Sequence, residues 1–395
     1  MSKIISLTGI TAITGLLFLA ACKKESSDAQ SSTPGSSPND CTVGRSGNDG
    51  DIIPGKYIVA YSNGQISRLS DDASLARTSA GLLSRHNISE SKLQAVFAGE
   101  PGGFIATLNE AEAARLRTDP MVQIVEPDRV VALSTCFTIA EPRLVTWNIN
   151  RTGYGDGTGK TAWIIDTGID MDHPDLTVDA TRSKSFISGQ TSADDANGHG
   201  THVAGIIGGR NNTIGVLGVA SGATLVSLRV LGADGVGAAS AIIQALAYIN
   251  ANGAPGDVVN MSLGEQVTSA TLNQQVQNTA SRGIYIAIAA GNDGKAANQY
   301  SPGNANGSNI FTVSAIDSLD RFAGFSNYGN DVVDYAAPGV RILSTYSNGR
   351  YAYLSGTSMA TPHVAGLLLL KGRNIVTSGT AKNDPDGTPD PIAHY

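Results

Sequence analysis

The chain has 395 residues, of which 41% are hydrophobic and only 15% charged, with 46 glycines. That length fits two domains better than one, its apolar share can build a sizeable core, and the low charge excludes a coiled coil or a wholly disordered chain. A formal net charge of −7 leaves no basic footprint for nucleic acid.

Residues 1–21 carry one early lysine, an apolar run over residues 4–21 and small residues at its end, the layout of a secretory signal peptide. Leu19-Ala20-Ala21-Cys22 resembles the bacterial lipobox, whose cysteine is acylated and becomes the new N-terminus. The resemblance implies lipidation at Cys22. A membrane anchor of about 18 residues is the alternative, although such a span has no need of small residues followed by cysteine. Lys23 is not the aspartate that commonly retains bacterial lipoproteins in the inner membrane, so the outer membrane or cell surface is implied. Residues 22–52 are rich in Ser, Gly, Pro, Asn and Asp and read as a disordered tether. Besides Cys22 there are two cysteines, Cys41 and Cys136, and none of the three has zinc-site or redox-motif spacing.

Residues 53–133 read as a small α+β domain. Strands are predicted over 56–61, 93–97, 103–108 and 122–125, and helices over 71–86 and 110–117, with Asn109 as N-cap. Glu126-Pro127-Asp128 is expected to end the last strand. The order βαββαβ is a ferredoxin-like plan. An exposed junction follows over residues 133–150, with processing expected within 134–146. No repeat of 20–50 residues is visible.

Residues 147–378 carry the chemistry. The apolar run 161–165 reads as a buried parallel strand ending at Asp166, where the ligand crevice of an open α/β sheet lies. His199 stands between two glycines in Asn197-Gly198-His199-Gly200-Thr201-His202 and opens a small-residue helix. No glutamate follows it as a zinc-binding H-E-x-x-H site requires. Ser358, in Gly356-Thr357-Ser358-Met359-Ala360, stands where a turn enters an apolar helix. A serine there is commonly a helix cap, and it also gains backbone N–H groups for an oxyanion. Residues 283–290 read as a strand followed by Asn292.

Together these motifs closely resemble the subtilase family of serine endopeptidases, nearest to its proteinase K-like branch, over residues 54–373. The chain order Asp, His, Ser is the one found in subtilisin. The resemblance implies a three-layer α/β domain with a mostly parallel sheet, preceded by an inhibitory propeptide, and a secreted, autoprocessed zymogen. It also implies a catalytic set of Asp166, His199, Ser358 and the oxyanion donor Asn292, with no cofactor needed for the chemistry. Substrate edges are implied at Gly235, Val236 and Gly237 and at Ser262, Leu263 and Gly264. Ala289, Ala290 and Gly291 then wall a pocket for a large apolar side chain. Glu265 departs from the family pattern, which commonly has glycine there. Structural calcium is implied at Asp334 with carbonyls near Ser308 and Ile310. A catalytically inactive, peptide-binding lipoprotein is the rival reading, and the intact set of four residues argues against it. Residues 379–395 are expected to be an irregular tail. Because the lipid would sit ahead of the propeptide, cleavage frees the protease unless it falls before Cys136 and a Cys41–Cys136 bridge holds the enzyme; two free thiols are the alternative.

Overall fold

The computed structural model describes residues 50–62, 72–99, 101–132, 137–139 and 145–395. The leader, residues 22–49 of the tether, all three cysteines and half of the junction lie outside these.

The first unit runs β1 (Ile52–Tyr61), α1 (Asp72–Arg85), β2 (Leu93–Phe97), β3 (Gly103–Thr107), α2 (Glu110–Leu116) and β4 (Val122–Ala132). Asn109 caps α2 in a reciprocal box with Glu112. The strands are antiparallel in the order β4-β1-β3-β2. Side chains alternate across this sheet, as a period of two demands. Val59, Tyr61, Phe104 and Ala106 cluster with Leu75, Leu82 and Leu116 of the unit's own helices. Ile58, Phe97 and Ile105 instead join the core of the second unit.

The strand expected to stop at residue 125 continues to Ala132. Pro127 lies next to a register break against β1, where sheets tolerate proline. Glu126 and Asp128 are not turn formers here, because both carboxylates are used by the second unit.

That unit contains β5 (Phe137–Ile139), α3 (Trp147–Thr152), β6 (Gly155–Asp156), β7 (Thr161–Asp166), β8 (Lys184–Ser185), α4 (His199–Gly208), β9 (Ala220–Ser221), β10 (Thr224–Arg229) and β11 (Val236–Ala238). It continues through α5 (Ala239–Asn252), β12 (Val258–Met261), α6 (Ala270–Ser281), β13 (Tyr285–Ala289), β14 (Ile310–Ile316) and β15 (Val333–Pro338). It ends with β16 (Ile342–Tyr346), β17 (Arg350–Leu354), α7 (Thr357–Lys371), β18 (Val376–Thr380) and β19 (Pro391–His394). Asn148 and Ile149 of α3 are buried, so the exposed junction ends before residue 147.

The main sheet has the order β18-β19-β15-β14-β13-β12-β7-β10-β8 among the described residues, parallel except for β18. Both faces are covered, which is why its strands read as continuous apolar runs. Ala162 and Ile164 pack with α4 and α7, while Trp163 and Ile165 pack with α5 and α6. Helix α7 is buried on every side from Thr357 to Leu369.

The tail is more ordered than its composition implies. β19 adds to β15 through Ala336 and Ile392, and β18 turns back on β19. Ala381, Ile392 and Ala393 are buried, too sparse a pattern to announce a strand. Asp390 is buried too and accepts from the Ser314 hydroxyl. Burial, with Asp384, Asp386 and Asp334 nearby, pushes its carboxyl up to about 7.

Candidate active site

The predicted residues converge at the carboxyl ends of the parallel strands. Asp166 ends β7 and is fully buried. Its Oδ1 accepts from the Thr167 N–H at 2.7 Å and from His199 Nδ1 at 2.8 Å. The latter bond fixes the imidazole tautomer, because a carboxylate can only accept. Nε2 is left as the acceptor nitrogen, buried and without a hydrogen-bond partner among the described residues.

His199 opens α4 after Gly198, whose φ of +116° suits only glycine. A Cβ at Gly198 would lie 2.2 Å from the Tyr346 ring. Gly200 is equally constrained, since a Cβ there would lie 2.1 Å from the Gly168 carbonyl. The two glycines let the helix start close against the end of β7.

Asp195, not anticipated from the sequence, welds these parts together. Its Oδ1 accepts from the Thr167 hydroxyl at 2.9 Å and from the N–H groups of Asn197 and Gly198. Its Oδ2 accepts from the N–H and hydroxyl of Thr201 at 2.9 and 2.6 Å. The Thr167 hydroxyl in turn accepts from the Gly200 N–H. Burial raises the pKa of Asp195, and the five donors offset part of that cost. The available signal was an acidic residue just ahead of a helix start.

Ser358 lies in the first turn of α7. Its hydroxyl donates to the Ser262 carbonyl at 3.1 Å, and the Ser262 hydroxyl donates to the Ser358 carbonyl at 2.8 Å. Ser262 follows β12, so this pair ties α7 to the sheet. Asn292 follows β13, and its Oδ1 accepts from the Thr357 N–H at 2.7 Å and the Thr357 hydroxyl at 2.9 Å. A backbone N–H needs an oxygen, so the amide oxygen faces Thr357 and its NH₂ end points away. His202 is fully buried with Nε2 on the carbonyls of Ile342 and Ala352, and burial lowers its pKa to about 3. It is a neutral structural neighbour of His199.

Two edges flank this point. Val236, Gly237 and Ala238 of β11 pair antiparallel with Ala132, Val131 and Val130 of β4. Gly235 makes the preceding turn at φ +74°. The first unit therefore lays its own strand on the edge expected for substrate. Leu263 is buried in the same core as Val131, and Gly264 lies against the Ser301 carbonyl. Ala289 and Ala290 are buried beside Gly291. Glu265 is fully buried, its N–H bonded to the Ser301 carbonyl.

Two carboxylates anchor the docked strand. Asp128 is fully buried and accepts from the N–H and hydroxyl of Ser240 in the first turn of α5, with Lys56 Nζ 3.0 Å away. Glu126 accepts from the Ser269 hydroxyl at 2.7 Å and the Thr271 N–H at 3.3 Å, at the start of α6. Each carboxylate meets the positive end of a helix.

Asp334 stands apart from this site. Its Oδ2 accepts from the Thr312 N–H, and the crowded sheet end pushes its carboxyl up to about 6. Ile310 opens β14, and Ser308 is on the exposed turn before it. No group of three or more acidic, histidine or cysteine side chains fit to hold a metal occurs among the described residues.

A buried carboxylate–imidazole pair, a helix-start serine and an asparagine amide held at that helix start are set on one parallel α/β sheet. Residues 157–377 match the Subtilase family and residues 56–134 match Peptidase inhibitor I9. The M-protease of Shouchella clausii (strain KSM-K16) is 42% identical over 275 residues, 68% of each chain. Subtilisin BL of Lederbergia lenta is 48% identical over 219 residues, 55% of this chain and 78% of that one. The crystal structure of a cold adapted subtilisin-like serine proteinase superposes with a TM-score of 0.57 at 33% identity, covering 64% of this chain and 98% of that one. The chain belongs to the subtilase family. It is a serine endopeptidase made with an I9 inhibitor propeptide attached.

Proposed function

We propose that Asp166, His199, Ser358 and Asn292 carry out peptide-bond hydrolysis. Ser358 Oγ leaves the Ser262 carbonyl, donates to His199 Nε2 and attacks the scissile carbonyl. His199 takes the proton as general base and returns it to the leaving amine. Asp166 holds Nδ1 protonated and stabilises the imidazolium. The Asn292 amide and the Ser358 N–H receive the oxyanion. Water then hydrolyses the acyl-enzyme. The carrying observation is His199 Nε2, oriented by the Asp166 bond and left as a buried acceptor.

Substrates are extended segments of protein chain. They add as a strand to Val236 and Gly237 after the Gly235 turn, opposite Ser262, Leu263 and Gly264. Small walls at Ala289, Ala290 and Gly291 favour a large apolar side chain. The pairing of β4 with β11 supports this mode. Replacing Asn292 with alanine is expected to lower kcat about 10²–10³-fold, the cost found for the matching group in a subtilisin, with KM nearly unchanged. Unaltered kcat on a peptide substrate would remove Asn292 from the mechanism.

The lipobox-like end of the leader supports an exported precursor carrying lipid on Cys22, held at the outer membrane or cell surface. The processed protease is then extracellular. Cys22→Ser should abolish incorporation of labelled palmitate, and a label that persists refutes the anchor.

Calcium is proposed as a structural ion at Asp334 with the carbonyls of Ser308 and Ile310. One carboxylate with backbone oxygens is a hard donor set. The Asp334 carboxylate accepts from the Thr312 N–H, and burial raises its pKa, a cost that a bound cation would offset. The ion would supply stability and no chemistry. A chelator should lower Tm in the parent protein but not in Asp334→Asn; equal shifts in both place the ion elsewhere.

A further inference from the structure

We propose that Asn327 positions the oxyanion donor Asn292, acting through the main chain on both sides of it. The inference rests on the role given to Asn292 above.

Asn327 lies between β14 and β15 and is fully buried. Its Nδ2 donates to the Ala290 carbonyl at 2.9 Å, and its own N–H donates to the Gly291 carbonyl at 2.9 Å. Its Oδ1 accepts from the N–H groups of Asp293 at 3.1 Å and Lys295 at 3.0 Å. Two bonds thus grip the chain before Asn292 and two grip it after.

The loop needs such a grip. It leaves β13 through Gly291 at φ +106° and Gly294 at φ +63°, and glycine gives the backbone more freedom than any other residue. Thr357 holds the Asn292 amide oxygen, but a side-chain bond fixes the NH₂ end only if the Cα is also fixed. An oxyanion donor works within about 2.7–3.1 Å of its target, and a misplacement of about 1 Å costs on the order of 10²-fold in rate.

The residue type follows from the groups to be met. The loop offers the Asn327 side chain two donors and one acceptor. Aspartate lacks the donor, and a hydroxyl has one atom where two are used. Asparagine is the short side chain with both ends. Gly291 is the matching partner, since a Cβ there would lie 2.2 Å from Asn327 Nδ2.

The test is a double-mutant cycle on the processed enzyme, with active sites titrated and a chromogenic peptide as substrate. Asn327→Ala is expected to lower kcat about 10–100-fold with KM changed less than about twofold. In the Asn292→Ala background the same change should lower kcat less than about twofold, because the group it positions is gone. An equal loss in both backgrounds makes Asn327 a general fold residue and overturns the inference, as does no loss in the parent. If Asn292→Ala alone leaves kcat intact, the oxyanion assignment itself fails and this inference falls with it. Should Asn327→Ala fail to fold, Asn327→Asp carries the same cycle. It keeps the acceptor for Asp293 and Lys295 but turns oxygen against the Ala290 carbonyl, and its loss too must be confined to proteins that retain Asn292.

Discussion

Ser358→Ala is expected to leave the precursor uncut and to lower turnover by about 10⁶-fold, the size found when the matching serine of a subtilisin is removed. Both effects come from one site. The strand Val130–Ala132 already lies on β11, the edge proposed for substrate. Cleavage there requires the same hydroxyl that cleaves other proteins. Denaturing gels of the parent protein should therefore show separate propeptide and protease bands, and Ser358→Ala a single long chain. A serine-directed phosphonate should label the parent and not the variant. Processing that survives the substitution would show that another protease makes the cut, and turnover that survives would overturn the assignment of the nucleophile.

The second large effect concerns release of the inhibitor. Asp128→Asn and Glu126→Gln are each expected to weaken propeptide inhibition about 10–100-fold, since hydrogen bonds to charged partners contribute about 1.5–3 kcal/mol each. Asp128 should matter more. It is fully buried, meets two groups of Ser240 and pairs with Lys56, whereas the Thr271 N–H is a longer 3.3 Å from Glu126. The inhibition constant of added propeptide, and the lag before activity appears, both report the change. With the cut expected within residues 134–146, the processed enzyme would carry neither residue and its Tm should not move. Equal inhibition by the parent and doubly substituted propeptides would mean that the β4–β11 pairing and apolar contacts through Ile58, Phe97, Ile105 and Val131 suffice to hold the complex.

Features with a local cause were legible in the sequence. The 161–165 run, the Asn109 cap and the glycines around His199 each follow from backbone or periodicity rules. The proposed set rests on three long motifs in the order Asp166, His199, Ser358, and on Asn292 after a strand. What escaped depends on distant partners. Glu126-Pro127-Asp128 has the composition of a turn, yet pairing with β1 and the waiting ends of α5 and α6 keep it extended. The tail 379–395 looks polar, yet three buried residues bring β19 onto β15. Asp195 and Asn327 read as ordinary loop residues, because the bonds that define them run to segments far along the chain or across a turn.

The enclosure of α7 bears on motion as well as packing. A helix buried on every side from Thr357 to Leu369 offers no frayed edge through which water can reach its amides. Its N–H groups should exchange with deuterium only when the whole domain opens, at the slowest rate in the molecule. The position of Ser358, the proposed nucleophile, is then as durable as the domain itself, and thermal loss of activity should follow global unfolding rather than loosening of the site.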